Sequence, residues 1–220
     1  MEQLNEIASI IALTMGAAWA AGINLYAAIL VLGILGNTGN IALPPDLHIL
    51  MDPLVLGAAG VMYAIEFFAD KVPGVDNGWD ALHTFIRIPA GALMAAGAVG
   101  EMNPAVAVAA AILGGGIAAG THAAKAGTRV IINASPEPFS NIATSLLEDI
   151  AVVFGLWAAL QHPWFFIILM VLFLIFLAWV LPKIWRAIKT VFSRIARFFK
   201  GEKKTEHSSS LMTDYKKIDH

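Results

Sequence analysis

Long uncharged stretches alternate with short charged stretches along this chain of 220 residues. Residues 7–45 contain no charged side chain, and residues 164–181 form a continuous apolar run. A helix needs about 20 apolar residues to cross a bilayer, so the pattern predicts an all-α protein, a polytopic helical membrane bundle of about six transmembrane helices. The spans are expected within residues 7–45 and at residues 53–71, 80–100, 104–133, 141–160 and 164–181.

Two of these spans have an unusual pattern of residues. Residues 20–26 place small and polar side chains, including Asn24, within the first apolar stretch, which predicts a kinked or partly unwound helix. The fourth span repeats small residues every four positions around Gly114–Gly116, and such repeats let helices approach closely in lipid. We therefore expect the fourth span to be a central, tightly packed helix.

The pattern changes after Pro182. Over residues 183–200, apolar residues recur at helical spacing and Lys and Arg occupy the opposite face, which is typical of an amphipathic helix lying on anionic lipid. Residues 201–220 are polar and charged, and this composition predicts disorder. The chain thus divides into a transmembrane domain (1–182), a cytoplasmic basic helix (183–200) and a disordered cytoplasmic tail (201–220).

The distribution of Lys and Arg predicts the orientation, because these residues favour the cytoplasmic side. With six spans and residues 183–200 inside, the outer segments are residues 37–52, 101–103 and 161–163, and none contains Lys or Arg. Both termini are therefore predicted to be cytoplasmic. Residues 1–6 are acidic and lack the cationic region of a secretory signal peptide, so the first apolar stretch is expected to stay as a span.

The composition excludes several classes of protein. Hydrophobic residues make up 58% and charged residues 14% of the chain, against about 25% charged residues in soluble domains. The part before residue 183 is net acidic, which argues against a nucleic-acid partner, and cysteine is absent. No H-E-x-x-H, G-x-S-x-G, P-loop or dinucleotide motif is present. We predict no enzymatic activity, no cofactor and no bound metal.

The charged residues that remain inside the spans carry the candidate chemistry, because such residues are costly and usually face the bundle interior or water. At about 1.5 Å of rise per residue, those of spans two to five reach similar depths and can meet. They predict a mixed-charge site open to the cytoplasm. With Asn24 at the break of the first span, the expected site residues are Asn24, Glu66, Asp70, Arg87, His122, Lys125, Glu148 and Asp149.

Two segments of the chain match position by position. They read D-x-x-H-T-x-x-R at residues 80–87 and N-x-x-T-S-x-x-E at residues 141–148. The match predicts a parallel hairpin repeat, as in some transporters, and an ion pair between Arg87 and Glu148. Lys71 and Arg129 stand at span ends and are expected to be interfacial anchors. The two histidines of these spans, His83 and His122, are expected to be interior histidines with satisfied hydrogen bonds.

Several motifs surround these charged residues. They are GINLY at residues 22–26, EFFADKVPGVD at 66–76, WDALHTFIR at 79–87, PAGAL at 89–93, HAAKAGTR at 122–129, NASPEPFSN at 133–141 and SLLED at 145–149. Over residues 8–160 the chain resembles the bacterial membrane family described as domain of unknown function 4126. That family often has two prolines after the arginine, whereas Ile88 precedes Pro89 here. The resemblance implies a helical protein of the bacterial inner membrane, and it supplies no catalytic residues.

Three functions fit this pattern. The first is a small transporter or permease-like protein for an ion or a small polar solute, in which the carboxylates bind a cation or proton and Arg87 and Lys125 neutralise the empty site. The second is a flippase-like or scramblase-like protein, in which Arg87, Lys125 and Arg129 receive the phosphate of an anionic lipid. The third is a membrane scaffold that transports nothing, with every buried charge paired.

Overall fold

A computed structural model gives the structure of residues 1–100, 102–134 and 138–215, with side chains described except at 138, 191–192 and 194–215. It is all-helical over these residues and contains no strand there. The helices are α1 (Glu2–Asn37), a 3₁₀ helix (Pro45–Met51), α2 (Pro53–Ala69), α3 (Val75–Ala98), α4 (Pro104–Asn133), α5 (Pro138–Gln161) and α6 (Pro163–Tyr215). The predicted all-α class is confirmed.

The starts of α2 and α4 follow the same local pattern. Asp52 accepts a hydrogen bond from the Leu54 amide at 2.8 Å, and Asn103 accepts one from the Ala105 amide at 2.9 Å. In each case a proline follows the capping residue, as expected at the first helical position. These caps explain why both helices begin where the sequence predicts spans to begin.

Among the residues that the structure describes, four helices are long and apolar enough to cross a membrane: α1, α4, α5 and α6. A fifth candidate is formed by the 3₁₀ helix together with α2, with a bend of 62° between them. Helix α3, which contains Asp76, Asp80 and Arg87, is not among these four. The apolar helices indicate a membrane protein.

Helix α1 folds back on itself at Asn24, whose backbone is extended (φ −146°, ψ 97°). Ser9 and Asn40 line one cavity of about 300 Å³. In a straight helix Ser9 would lie about 42 Å from the helix end at Asn37, so the two halves of α1 must run in opposite directions. We call residues 2–23 α1a and residues 25–37 α1b. The predicted irregularity at residues 20–26 is confirmed, but α1 is a helical hairpin and not a through-going span.

This hairpin places the two ends of the chain at opposite ends of the bundle. The Asn5 side chain accepts a hydrogen bond from Trp164 at the start of α6, at 3.0 Å. Ile184 packs against Gly127, near the end of α4, and lies about 30 Å from Trp164 along the α6 axis. The prediction that both termini share one side is therefore wrong.

The reason for that error is physical. A run such as residues 7–45 contains enough apolar residues for one span and a loop, and equally for a hairpin of two shorter helices. The first 70 residues contain no Lys or Arg, so the distribution of these residues does not predict the orientation of α1. We call the end with residues 37–52 and 161–164 the distal end, and the end with residues 130–134, 139–141 and 183–189 the basic end.

Helix α6 continues beyond its apolar part. It runs through Pro182 to Tyr215, and the predicted division into a transmembrane domain, a basic helix and a disordered tail stays a prediction. Glu202, Lys203 and Lys204 are good helix formers, which favours continuation. Residues 216–220 of the predicted tail lie outside the described residues, and lipid binding by residues 183–200 stays a prediction.

Toward the distal end the interior of the bundle is apolar. Farther from the distal end, the helices lie in close contact. Leu32, Leu47 and Leu156 belong to one buried cluster that fills the space between α1b, the 3₁₀ helix and α5. A side chain at Gly22 would collide with the α4 backbone at Ala118. Helix α4 packs against α1, α3 and α6, which agrees with the central helix that its small residues predict.

Candidate functional site

The break in α1 lies beside a cluster of buried ionisable side chains from α2, α3, α4 and α5. Three of its members are cations, Arg87, Lys125 and Arg129. Six are carboxylates. They are Glu66, Asp70, Asp76, Asp80, Glu148 and Asp149. We refer to these nine residues as the charged cluster. All eight predicted site residues belong to it or contact it directly.

Helical spacing brings these side chains together. On α3, residues 76, 80, 83 and 87 share one face, and on α4 residues 122, 125, 129 and 133 do so. Both stripes are buried or half-buried while the opposite faces carry exposed apolar residues such as Phe85. Each helix therefore turns one polar stripe inward and its apolar side outward.

Arg87 is fully buried and joins α2, α3 and α4. Its Nη2 donates to Glu66 at 2.6 Å, and its Nη1 donates to Asp80 at 3.1 Å. His122 Nδ1 lies 3.1 Å from the same Nη1. The predicted pair between Arg87 and Glu148 is therefore wrong. Arg87 pairs with carboxylates from α2 and from its own helix, and Glu148 pairs elsewhere.

Lys125 is the central cation of the cluster. Its Nζ donates to Asp70 at 2.9 Å and to Glu66 at 3.3 Å, and lies 3.5 Å from Glu148. It also donates to the Ile23 carbonyl at 3.0 Å. Lys125 thus connects the charges of α2 and α5 to the last turn of α1a.

Arg129 is also fully buried, so the prediction that it is an interfacial anchor is wrong. Its Nη2 donates to Glu148 at 2.6 Å, and its Nη1 donates to the Asp70 carbonyl and to Asn141. Arg129 follows Lys125 by four positions, which places both cations on the inward face of α4. The other expected anchor, Lys71, is only half-buried and donates to the Phe67 carbonyl at 2.8 Å.

Asn24 connects the break in α1 to the charged cluster. Its Oδ1 accepts from the Ala27 amide at 3.0 Å, which caps the start of α1b. Its Nδ2 donates to Asp149 at 3.0 Å. Backbone groups freed at a helix end need such partners, above all where water is excluded. The break is therefore stabilised by the charged cluster itself.

The two buried histidines have hydrogen-bond partners on both ring nitrogens. His83 contacts the Tyr26 hydroxyl and the Trp79 carbonyl, each at 2.9 Å. His122 contacts Arg87 through Nδ1 and Thr84 through Nε2. Within the part of the chain that the structure describes, no group of three His, Asp or Glu residues could hold a metal ion. These contacts match those expected of interior histidines.

Sequence reasoning left several members out of the site. They are Asp76, Asp80, Arg129, Asn133 and Asn141. The spacing of three and four residues along α3 and α4 indicates that Asp80 and Arg129 share a face with the predicted site residues. Asn133 donates to both oxygens of Asp76 at 2.8 Å, a contact between the ends of two helices that spacing along one helix does not predict.

The cluster is packed closed, and this corrects the expectation of a cavity open to one side. The side chains of Glu66, Arg87 and Arg129 have 0% exposure, and that of Lys125 has 2%. Glu148 keeps 15% exposure and Asp149 is half-buried. Contact with the surroundings is thus restricted to the α5 side of the cluster.

Negative charge is in surplus, with six carboxylates for three cations. Four of the carboxylates have one buried oxygen without a hydrogen-bond partner among the described residues. These oxygens are Glu66 Oε2, Asp70 Oδ1, Asp80 Oδ2 and Asp149 Oδ2. Buried charge is costly unless it is paired and hydrogen-bonded, so additional positive charge would stabilise the cluster.

The helices and the cluster together define an all-helical membrane protein with a closed network of buried ion pairs beside a broken helix. The chain belongs to the family described as domain of unknown function 4126, whose model matches residues 11–183. No curated protein and no solved structure matches the chain. The family resemblance inferred from the motifs is confirmed, and those motifs contain all nine residues of the charged cluster.

Proposed function

We propose that this protein is a small membrane transporter that moves a cation, with the charged cluster as its binding site. One observation carries the proposal. The break in α1 directly contacts a buried cluster whose carboxylates outnumber its cations. Broken helices that meet charged side chains near the middle of the membrane are a recurring feature of ion-coupled transporters. A surplus of buried carboxylates favours a positively charged substrate.

The apolar cluster around α1b closes the site toward the distal end. It extends over about 20 Å, the length of the 13 residues of α1b, and contains Leu32, Leu47 and Leu156. Glu148 and Asp149, on the α5 side, keep partial exposure. In this proposal the site is closed toward the distal end and is reached from the α5 side.

We place the basic end in the cytoplasm of a bacterial cell, because all Lys and Arg of the chain lie beyond residue 70 and most lie in residues 183–217. In this orientation α1 enters the membrane from outside and returns. Cysteine is absent from the chain, so single cysteines report location without background labelling. Glu2→Cys and Asn40→Cys should react with a membrane-impermeant thiol reagent in intact cells, whereas Lys189→Cys should react only after permeabilisation. Equal protection of Glu2→Cys and Lys189→Cys would contradict this arrangement.

Flux into proteoliposomes tests the transport proposal. Purified protein should dissipate an imposed gradient of H⁺, Na⁺ or K⁺, followed with a pH-sensitive or ion-sensitive dye. Glu148→Gln removes the carboxylate bridging Arg129 and Lys125 at the accessible edge, and we expect at least a tenfold slower flux. Asp46→Asn, an exposed position near the distal end, serves as the matched control. Absence of flux for all three cations would overturn the proposal.

The scaffold hypothesis has one observation in its favour. Each of the three cations makes contacts with two or more carboxylates, as a purely structural network would. Buried ion pairs are nevertheless weak evidence for a stabilising role, and a scaffold does not need twice as many carboxylates as cations. The same packing disfavours a site for lipid phosphate, because Arg87, Lys125 and Arg129 already contact carboxylates and are buried.

A further inference from the structure

Asp149 differs from the other carboxylates of the charged cluster. Glu66, Asp70, Asp76, Asp80 and Glu148 each lie within 4.0 Å of a Lys or Arg nitrogen. Among the described residues, Asp149 makes no such ion pair. Its Oδ1 accepts a hydrogen bond from the neutral amide of Asn24 at 3.0 Å, and its Oδ2 is buried without a partner. Asp149 is therefore the carboxylate of the cluster whose charge is least compensated.

The groups that face Asp149 do not neutralise the negative charge of its carboxylate. Tyr63, Asp70 and Lys71 face it from α2 and the turn that follows. Lys125 faces it from α4, and Glu148 precedes it on α5. Neither ammonium group lies within 4.0 Å of an Asp149 oxygen, and Lys125 pairs with Asp70 and Glu148 instead. Lys125 is bound to carboxylates of α2, and Lys71 donates to a carbonyl of its own helix.

A second observation concerns two other carboxylates of the charged cluster. Glu66 is 0% exposed and Asp80 is 1% exposed, and each has one buried oxygen without a hydrogen-bond donor. Every cation within reach is already shared by these carboxylates and their neighbours. Placing a further ionised carboxylate at Asp149 would increase the deficit in a medium of low dielectric constant.

We propose that the cation bound by this site is a proton and that Asp149 binds it, an inference that rests on the proposed function. A metal ion needs several oxygen or nitrogen ligands, and the described residues offer no such group. A polar solute needs a cavity, and the cluster is filled by its own side chains. A proton needs one carboxylate. The Asp149 carboxylate takes a proton from hydronium to give the neutral acid and water, and the reverse step releases it.

Asn24 connects this proton to the break in α1. The same amide side chain that donates to Asp149 caps α1b through the Ala27 amide. The start of a helix carries partial positive charge, so it attracts an ionised carboxylate more strongly than a protonated one. Loss of the proton therefore pulls Asp149 and the start of α1b together, and binding of the proton loosens them. Helix α1b, which holds the distal closure, is the element that responds.

Infrared difference spectroscopy of the full chain in lipid vesicles tests protonation without any transport. A pH step should reveal the carbonyl band of a protonated carboxylic acid. The band should disappear in Asp149→Asn and persist in Asp46→Asn and in Glu148→Gln, the neighbouring carboxylate that is paired with cations. Persistence of the band in Asp149→Asn would overturn the assignment. If Asp149→Asn does not fold, Asp149→Glu should shift the band, and an unshifted band would overturn it equally.

Flux driven by a pH gradient gives the second measurement. Proteoliposomes should acidify on an imposed gradient, and Asp149→Asn should reduce the rate at least tenfold, whereas Asp46→Asn should not change it. Movement of Na⁺ or K⁺ without H⁺ would leave the transport proposal intact and overturn the proposal that the bound cation is a proton. A carboxylic acid band at Asp149 without flux of any cation would support the proton site and overturn transport. The two proposals can therefore fail separately.

Discussion

The charge surplus of the cluster predicts that its cations and carboxylates are unequal in their effect on stability. Arg87→Met leaves two cations for six carboxylates, whereas Glu66→Gln leaves three cations for five. Both side chains are fully buried and joined at 2.6 Å. Removing one partner of a buried pair costs about 3–5 kcal/mol because the other charge stays uncompensated. We expect Arg87→Met to reach this range, since Glu66 and Asp80 both lose their closest cation.

Glu66→Gln should cost less, about 1–2 kcal/mol, the scale of a lost hydrogen bond to a charged group. Arg87 keeps Asp80 at 3.1 Å, and Lys125 keeps Asp70 at 2.9 Å. In the double variant, part of the Arg87→Met penalty should be recovered, because Glu66 no longer needs a partner. Residues in direct contact show coupling energies of about 0.5–3 kcal/mol.

The assay is equilibrium unfolding of the purified protein in mixed micelles, with the wild type, both single variants and the double variant measured under the same conditions. Exposed Asp46→Asn serves as a control and should stay within about 0.5 kcal/mol of the wild type. A larger loss of stability for Glu66→Gln than for Arg87→Met would refute the surplus of carboxylates, and with it the reason for a cationic substrate.

Three further predictions concern packing, the break and the lipid contact. Gly114→Ala places a methyl group against Ala95 and should cost about 1–3 kcal/mol in unfolding free energy, whereas Gly116→Ala enters open space and should be neutral or stabilising by up to about 1 kcal/mol. Asn24→Ala removes the cap of α1b and the Asp149 contact and should cost about 1–2 kcal/mol; Asn40→Ala in an exposed loop is its control, and equal losses would contradict the capping role. Replacing the three cations of residues 183–189 by Gln should weaken retention of anionic lipid, measured by mass spectrometry, by about 1 kcal/mol per charge.

Much of the fold follows from local pattern. The caps at Asp52 and Asn103 mark the starts of two helices, and the small and polar residues around Asn24 mark the break in α1. These features depend on a few neighbouring residues, so they can be predicted from the sequence. The direction of the chain after Asn24 depends instead on the contacts of α1a and α1b with the rest of the bundle. Hydropathy is the same for a span and for a hairpin, and it does not decide between them.

The site shows the same division. Helical spacing identifies the inward stripes of α3 and α4, and similar depth predicts that their charges meet. The pairing itself depends on how the helices rotate and approach. Arg129 lies near the end of its predicted span yet is fully buried, because α5 brings Glu148 to within 2.6 Å of it. The match between residues 80–87 and 141–148 predicted the wrong partner for Arg87, and the hairpin repeat itself stays a prediction.

The sequence by itself determined the helical class, the membrane character, the break at Asn24 and six of the nine residues that form the charged cluster. These follow from residue types and from periodicity along single helices. Only the tertiary structure decided that α1 returns to the distal end, that the cluster is closed, and that Asp149 is the carboxylate of the cluster without an ion pair among the described residues. Each of these depends on distances between helices far apart in the chain, and such distances are set by packing and not by local pattern.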